Sequence, residues 1–248
     1  MKESQARAEL AEVCRLAYSR GYICGTEGNF SIRLSKRVLL STPRGICKGR
    51  VTPEELVLTD LEGHELERAE GGYKLLASTN GKGRVSTELA MHLTVYRQRA
   101  DVAAVVHAHP TVAVGFTVAG QSLAKCELPE VVCTLGVIPT APYATPSTDE
   151  VASSISELIA KHDALVMDHH GALTLGTDIW DAFYKLETLE HHAQTLLVAH
   201  LLGGAKPLFA GQVQKLLNIR GVYGYNRPLP AETMVGPQCS RPDAENNS

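Results

Sequence analysis

Nowhere in this 248-residue chain does an apolar run approach the roughly 18 uninterrupted residues of a membrane span, which argues against a transmembrane segment. Charge of one sign is missing too. The 24 basic and 27 acidic side chains leave a net charge of −3, so no field exists to gather DNA, RNA or an anionic membrane. The six cysteines, Cys14, Cys24, Cys47, Cys126, Cys133 and Cys239, include no C-x-x-C pair, and no apolar leader stands ahead of them. They are expected as reduced thiols of a cytoplasmic protein rather than a disulfide framework. Aromatic residues are only 5% of the chain. What is present is ordinary for a folded soluble protein, 44% apolar and 21% charged, with length enough for one sizeable core. Ten histidines are many, and three pairs stand out: His107 with His109, His169 with His170, and His191 with His192.

Ala6, Leu10, Val13, Cys14 and Ala17 recur at spacings of three and four, so an amphipathic helix is predicted from Ser4 to Tyr18. Asn29-Phe-Ser-Ile-Arg-Leu alternates as a half-buried strand, with Val38-Leu-Leu-Ser-Thr as its hairpin partner. Thr52-Pro-Glu-Glu reads as a helix start and Leu56 to Thr59 as a short strand. Residues 71–83, rich in glycine and lysine, read as a loop insertion. Ser86-Thr-Glu opens a helix, Ala103-Ala-Val-Val-His is an apolar strand, and a helix follows from Pro110 to Ala119. The same rhythm returns with a helix from Thr148 to His162, strands at Ala164-Leu-Val-Met and Gly171-Ala-Leu-Thr-Leu, and a long helix from Thr177 to about Leu202. The pattern predicts a single α/β domain over residues 1–230, a central mostly antiparallel sheet with helices on both faces. The polar segment 231–248 is expected to be a flexible tail.

His107-Ala-His109 ends an apolar strand, and side chains at i and i+2 leave one face, so both imidazoles can converge on one ion. Two core or surface histidines would give the same pattern. Asp168-His-His-Gly repeats the context, and since neighbours in a strand point oppositely, only one of that pair is expected to join. Three histidines with an open position suit a catalytic divalent ion. Ser86-Thr87-Glu88 reads as a helix cap, or as free N–H groups and hydroxyls for a phosphate with a carboxylate beside them. Gly25-Thr-Glu-Gly-Asn-Phe-Ser is a glycine turn able to present N–H groups and the Asn29 amide to an anion. His191 and His192 read as a solvated or subunit-facing stripe, and His92 and His200 as packing or surface residues.

Taken in order, Gly25-Thr-Glu-Gly-Asn-Phe-Ser, Ser41-Thr-Pro-Arg-Gly, Ser86-Thr-Glu, Val105-Val-His-Ala-His-Pro, Ala141-Pro-Tyr-Ala-Thr and Asp168-His-His-Gly resemble the class II aldolase/adducin family, most closely its L-fuculose-phosphate aldolase-like members. The resemblance covers about residues 5 to 205. It implies a three-layer α/β domain in a homotetramer with active sites at subunit interfaces. The implied reaction splits a ketose 1-phosphate into dihydroxyacetone phosphate and an aldehyde at a zinc site, with Mn2+ or Co2+ as other candidate ions. By motif match, His107, His109 and His170 are the implied metal ligands and Glu88 the catalytic acid/base. Thr26, Gly28, Asn29, Gly45, Ser86 and Thr87 are the implied phosphate contacts of a phosphorylated sugar.

The chain departs from those members in several places, the loop at 71–83 and the tail past Leu216 among them. Leu128 stands where they have a tyrosine that protonates the aldehyde oxygen, and Arg44 replaces a threonine in the phosphate turn. Arg44 either clamps a phosphate or carboxylate or faces solvent. Tyr223-Gly224 is a candidate stand-in for the family's C-terminal tyrosine. A decarboxylase of a phosphorylated sugar acid, using the same enediolate chemistry, is the alternative within the family. A pentulose-phosphate 4-epimerase is less similar because it carries aspartate where Glu88 stands, and an adducin-like scaffold would need neither the histidines nor the glutamate.

Overall fold

The periodic apolar residues of the first segment close a helix, α1 (Glu3–Ser19), whose buried stripe is Ala6, Leu10, Val13, Cys14 and Ala17. The computed structural model describes residues 2–77 and 84–224, and the expected tail and the 230/231 boundary lie outside the described residues. After α1 come β1 (Asn29–Arg33), β2 (Leu39–Ser41), β3 (Val57–Thr59), β4 (Glu65–Ala69), β5 (Gly72–Leu75), α2 (Leu89–Gln98), β6 (Ala104–Ala108) and α3 (Thr111–Val118). The chain continues through α4 (Pro129–Thr134), β7 (Thr140–Ala141), α5 (Asp149–Ile159), β8 (Ala164–Met167), β9 (Gly171–Gly176), α6 (Ile179–Leu201) and α7 (Ala210–Ile219). Among the described residues the strands form one sheet in the order β5-β4-β3-β2-β1-β6-β9-β8-β7. Every pairing is antiparallel except β7 with β8.

The period of two sorts the central strands into two cores. Ala104 and Val106 of β6 face one way with Phe30 and Ile32 and pack under α1, α3 and α6. Val105 faces the other way with Leu165, Leu173 and Leu175 and packs under α2 and α5. Helices therefore cover both faces of a central sheet, the expected α/β three-layer arrangement. Each fully buried Leu or Phe in these layers contributes roughly 1.5–3 kcal/mol by leaving water.

Three expectations are corrected. Thr52-Pro-Glu-Glu makes one turn, with Glu55 accepting from the Thr52 N–H at 2.8 Å, and no helix follows. Leu56, Val57 and Leu58 are needed in the core, so the chain extends instead. The segment at 71–83 is not all loop: Gly72–Leu75 adds an exposed strand to the sheet edge, pairing with β4, while 78–83 lie outside the described residues. Cys14, Cys24, Cys47 and Cys133 are free thiols, but Cys126 is disulfide-bonded, because pairing follows proximity in the fold, which scattered spacing does not reveal. No described helix is long and apolar enough to cross a membrane.

Candidate active site

Two neighbouring strands bring the histidines together. The β6–β9 register pairs His107 with Leu173 and Ala108 with Ala172, so His170, one residue before β9, arrives beside the end of β6. The Nε2 atoms of His107 and His109 lie 3.1 Å apart, and a ligand atom of each of His107, His109 and His170 falls within 4.8 Å of the others. Nδ1–H of the fully buried His107 donates to the Ala172 carbonyl at 2.9 Å, which leaves the Nε2 lone pair for the shared point. Burial, then the neighbouring His107 and His170, push His109 down to about 3, so its ring is neutral as a ligand must be. His169 turns away, with φ +54° and its Nδ1 on Asp168 Oδ1 at 2.9 Å, as expected for one member of the pair.

Gly171 makes the cluster possible. A Cβ there would sit 2.6 Å from the Ala108 carbonyl oxygen, 2.8 Å from a His109 ring carbon and 2.9 Å from a His107 ring carbon. Convergent imidazoles held by a backbone acceptor, in a cradle with no room for a side chain, fit a divalent ion of the zinc type.

Glu88 closes the site. It stands at the N-cap of α2 but makes no cap hydrogen bond; Ser86 Oγ accepts the Glu88 N–H instead, at 3.3 Å. Its carboxylate is turned inward, with Oε1 3.0 Å from His170 Nε2 and Oε2 3.4 Å from His107 Nε2. Asn29 Nδ2 donates to Oε2 at 2.7 Å. Burial works to raise this carboxyl, but hydrogen bonds and charge from His107 and His170 outweigh it and hold Glu88 well below the usual carboxylate range.

The other expected residues line the same end of the sheet. Gly28 has φ +68°, and a Cβ there would meet the His107 carbonyl oxygen at 2.8 Å, so only glycine passes. Thr26 is exposed beside it. Gly45 sits in a left-handed turn that is tied to the Ser86 segment, with Arg44 N–H on the Arg84 carbonyl at 2.8 Å. Arg44 itself is exposed. Thr87 Oγ1 meets the hydroxyl of Ser147, itself at φ +63°, at 2.8 Å. Asn29 is only 4% exposed and is drawn toward Glu88. Sequence reading missed Lys48, whose buried ammonium donates to the Thr26 carbonyl from behind the glycine turn. Leu128 is half-buried against the core, and the side chain of Tyr223 lies outside the described residues.

Residues 8–197 match the sequence model described as Class II Aldolase and Adducin N-terminal domain. An L-fuculose phosphate aldolase of Methanococcus maripaludis is 33% identical over 186 residues, 75% of this chain and 93% of the relative. A 3-oxo-tetronate 4-phosphate decarboxylase of Escherichia coli is 28% identical over 221 residues, 86% of this chain and 96% of that one. The crystal structure of L-fuculose-1-phosphate aldolase from Thermus thermophilus superposes with a TM-score of 0.68 at 31% identity, covering 82% of this chain and 97% of the other.

Proposed function

The chain belongs to the class II aldolase and adducin family and is an enzyme of that class, and from that premise we propose that it cleaves a ketose 1-phosphate, L-fuculose 1-phosphate or another deoxy-ketose phosphate, into dihydroxyacetone phosphate and an aldehyde. The observation that carries this reading is the Glu88 carboxylate facing two of three convergent histidines. A zinc ion held by His107, His109 and His170 would supply Lewis-acid polarisation of the substrate oxygens and offset the charge left by cleavage.

The residues divide the remaining work. The Thr26–Asn29 turn, Gly45, Ser86 and Thr87 hold the phosphate through N–H groups and hydroxyls. As the C3–C4 bond breaks, its electron pair stays on C3 and the C4 hydroxyl gives up its proton to leave as aldehyde. The ionised Glu88 takes up the C4 hydroxyl proton and delivers it to C3, so the proton count balances. In the reverse direction the ionised Glu88 is the form that removes the C3 proton. The exposed Leu197, Val198, Leu201 and Leu202 at the end of α6 support self-association, which we propose to be a tetramer in the cytoplasm.

Two observations favour decarboxylation of a phosphorylated sugar acid as the second reading. Arg44 is exposed at the anion turn, where a carboxylate would reach it, and the decarboxylase relative matches 86% of the chain against 75% for the aldolase. Loss of CO2 from a 3-oxo acid phosphate leaves the same enediolate, so one experiment tests the shared step. Proton NMR of dihydroxyacetone phosphate in deuterated water with zinc-loaded enzyme is expected to lose one C–H signal stereospecifically, and a chelator is expected to stop the loss. Absence of exchange sinks both readings. Given exchange, condensation with an aldehyde panel selects the aldolase, and CO2 release from a 3-oxo acid phosphate selects the decarboxylase.

A further inference from the structure

Behind Glu88 runs a line of buried polar groups that the reaction scheme does not use. Glu88, His92 and Tyr96 recur every four residues on α2, and Asn29 and Ser31 every two on β1. Four helical residues rise about 6 Å and two strand residues about 6.8 Å, so the two rows stay in step where the helix lies over the strand. The contacts follow that match. Asn29 Nδ2 donates to Glu88 Oε2 at 2.7 Å, and Asn29 Oδ1 forms a short hydrogen bond with His92 Nε2. His92 Nδ1 lies 2.7 Å from Ser31 Oγ, and the Tyr96 hydroxyl, 2.8 Å from that Oγ and 3.0 Å from the Ser31 carbonyl, shares its one hydrogen between the two. Ser31, His92 and Tyr96 are at most 2% exposed, so water does not replace these partners.

The Asn29 amide fixes the direction of each bond. Its Nδ2 only donates and faces Glu88, and its Oδ1 only accepts and faces His92. His92 Nε2 must then carry a hydrogen. The ring is neutral, since burial and the nearby His107 push it down to about 3, so Nδ1 holds a lone pair and takes the Ser31 hydroxyl hydrogen. Reversing any one bond leaves two acceptors or two donors facing each other in a dry layer.

We infer that His92 is a positioning residue for the reaction: its Nε2–H, backed by Ser31 and Tyr96, locks the Asn29 amide so that Nδ2 holds the Glu88 carboxylate in place. This rests on the acid/base role of Glu88 given above. It also gives Asn29 a task beyond an anion contact, since one Nδ2 hydrogen is committed to Glu88.

The test uses full-length zinc-loaded protein and the deuterium exchange of dihydroxyacetone phosphate. His92→Phe removes the donor and is expected to lower the maximal exchange rate about 10²-fold, the effect of misplacing a catalytic group by about 1 Å. KM and bound metal should stay near wild type. His92→Gln, whose amide N–H reaches where the ring Nε2–H stood, is expected to restore most of the rate. Wild-type rate in His92→Phe, or equal losses in two folded, metalled variants, overturns the inference. Nitrogen-15 NMR of the wild-type ring, its signals identified by their loss in His92→Gln, supplies an arm independent of turnover and of whether His92→Phe folds. A neutral ring protonated at Nε2 is expected; protonation at Nδ1 or at both nitrogens overturns the relay. If wild-type protein exchanges nothing, the proposed reaction fails and the ring's tautomer still decides the relay.

Discussion

Glu88 and Glu127 are both carboxylates shielded beside a fully buried histidine, and they are held in opposite states. Glu88 has His170 beside one oxygen and Asn29 and His107 beside the other, and these polar neighbours hold it ionised against the opposing effect of burial. Glu127 Oε2 lies 3.7 Å from His192 Nε2, and neither that oxygen nor either His192 ring nitrogen has a hydrogen-bond partner among the described residues. Burial therefore outweighs the weaker opposing effects there, raising Glu127 to about 7 and lowering His192 to about 4. Burial sets the direction for an unpartnered acid, and donors reverse it. Glu88 is ionised at neutral pH because His107, His170 and Asn29 converge on it, not because it is buried.

The strongest way to break the comparison is His107→Ala. It deletes a proposed ligand whose ring also packs beside Glu88, so we expect bound metal and turnover both to vanish, a larger effect than the 10–100-fold loss of affinity caused by changing an outer partner. Metal analysis of purified protein reads it, and full zinc occupancy would remove His107 from the ligand set. Next comes Glu88→Gln, which keeps the shape but not the base. Zinc should remain while proton exchange falls about 10²- to 10⁴-fold, and a near-native rate would end the acid/base assignment. Smaller again is Gly171→Ala. The new methyl would press on the Ala108 carbonyl and on both rings, and a backbone oxygen cannot swing aside. We expect a folded protein by circular dichroism with zinc affinity about 10- to 100-fold weaker in a chelator competition; unchanged affinity would show that the cradle is not tight.

The convergence of the three histidines was legible because strand periodicity is local. His107 and His109 share a face at i and i+2, and His170 ends the next apolar strand at a glycine. The relay was less legible. Its members are some 60 residues apart, Asn29 to His92, and only the register of α2 over β1 joins them. The sequence did carry a sign, a polar residue every fourth position on the apolar side of a helix, which a search for apolar stripes passes over. The β4–β5 edge was missed for a different reason: Glu65-Leu-Glu-Arg-Ala is half-exposed at the sheet margin and has little need of an alternating apolar face. Likewise nothing near Cys126 foretells its bond, and nothing near His192 foretells Glu127, which lies 65 positions earlier.

The last prediction concerns that second pair, and its effect is hidden in the wild-type protein. Between pH about 4.5 and 6.5 the folded pair holds one proton, on Glu127, and the unfolded pair also holds one, on His192, because their ordinary values are 4.5 and 6.5. Equal proton counts mean that the pair gives stability no pH slope there. Each single variant should uncover one half. In Glu127→Gln only His192 titrates; its folded value is lowered, so the stability it contributes is present above 6.5 and lost as pH falls toward 4. In His192→Leu only Glu127 titrates; its folded value is raised, so stability is present below 4.5 and lost as pH rises to 7. Relative to wild type, urea melts at half-unit steps should show slopes of opposite sign, each up to about 1.4 kcal/mol per pH unit. Slopes of the same sign, or none in either variant, would mean that burial does not set the states of Glu127 and His192, and the contrast with Glu88 would fall.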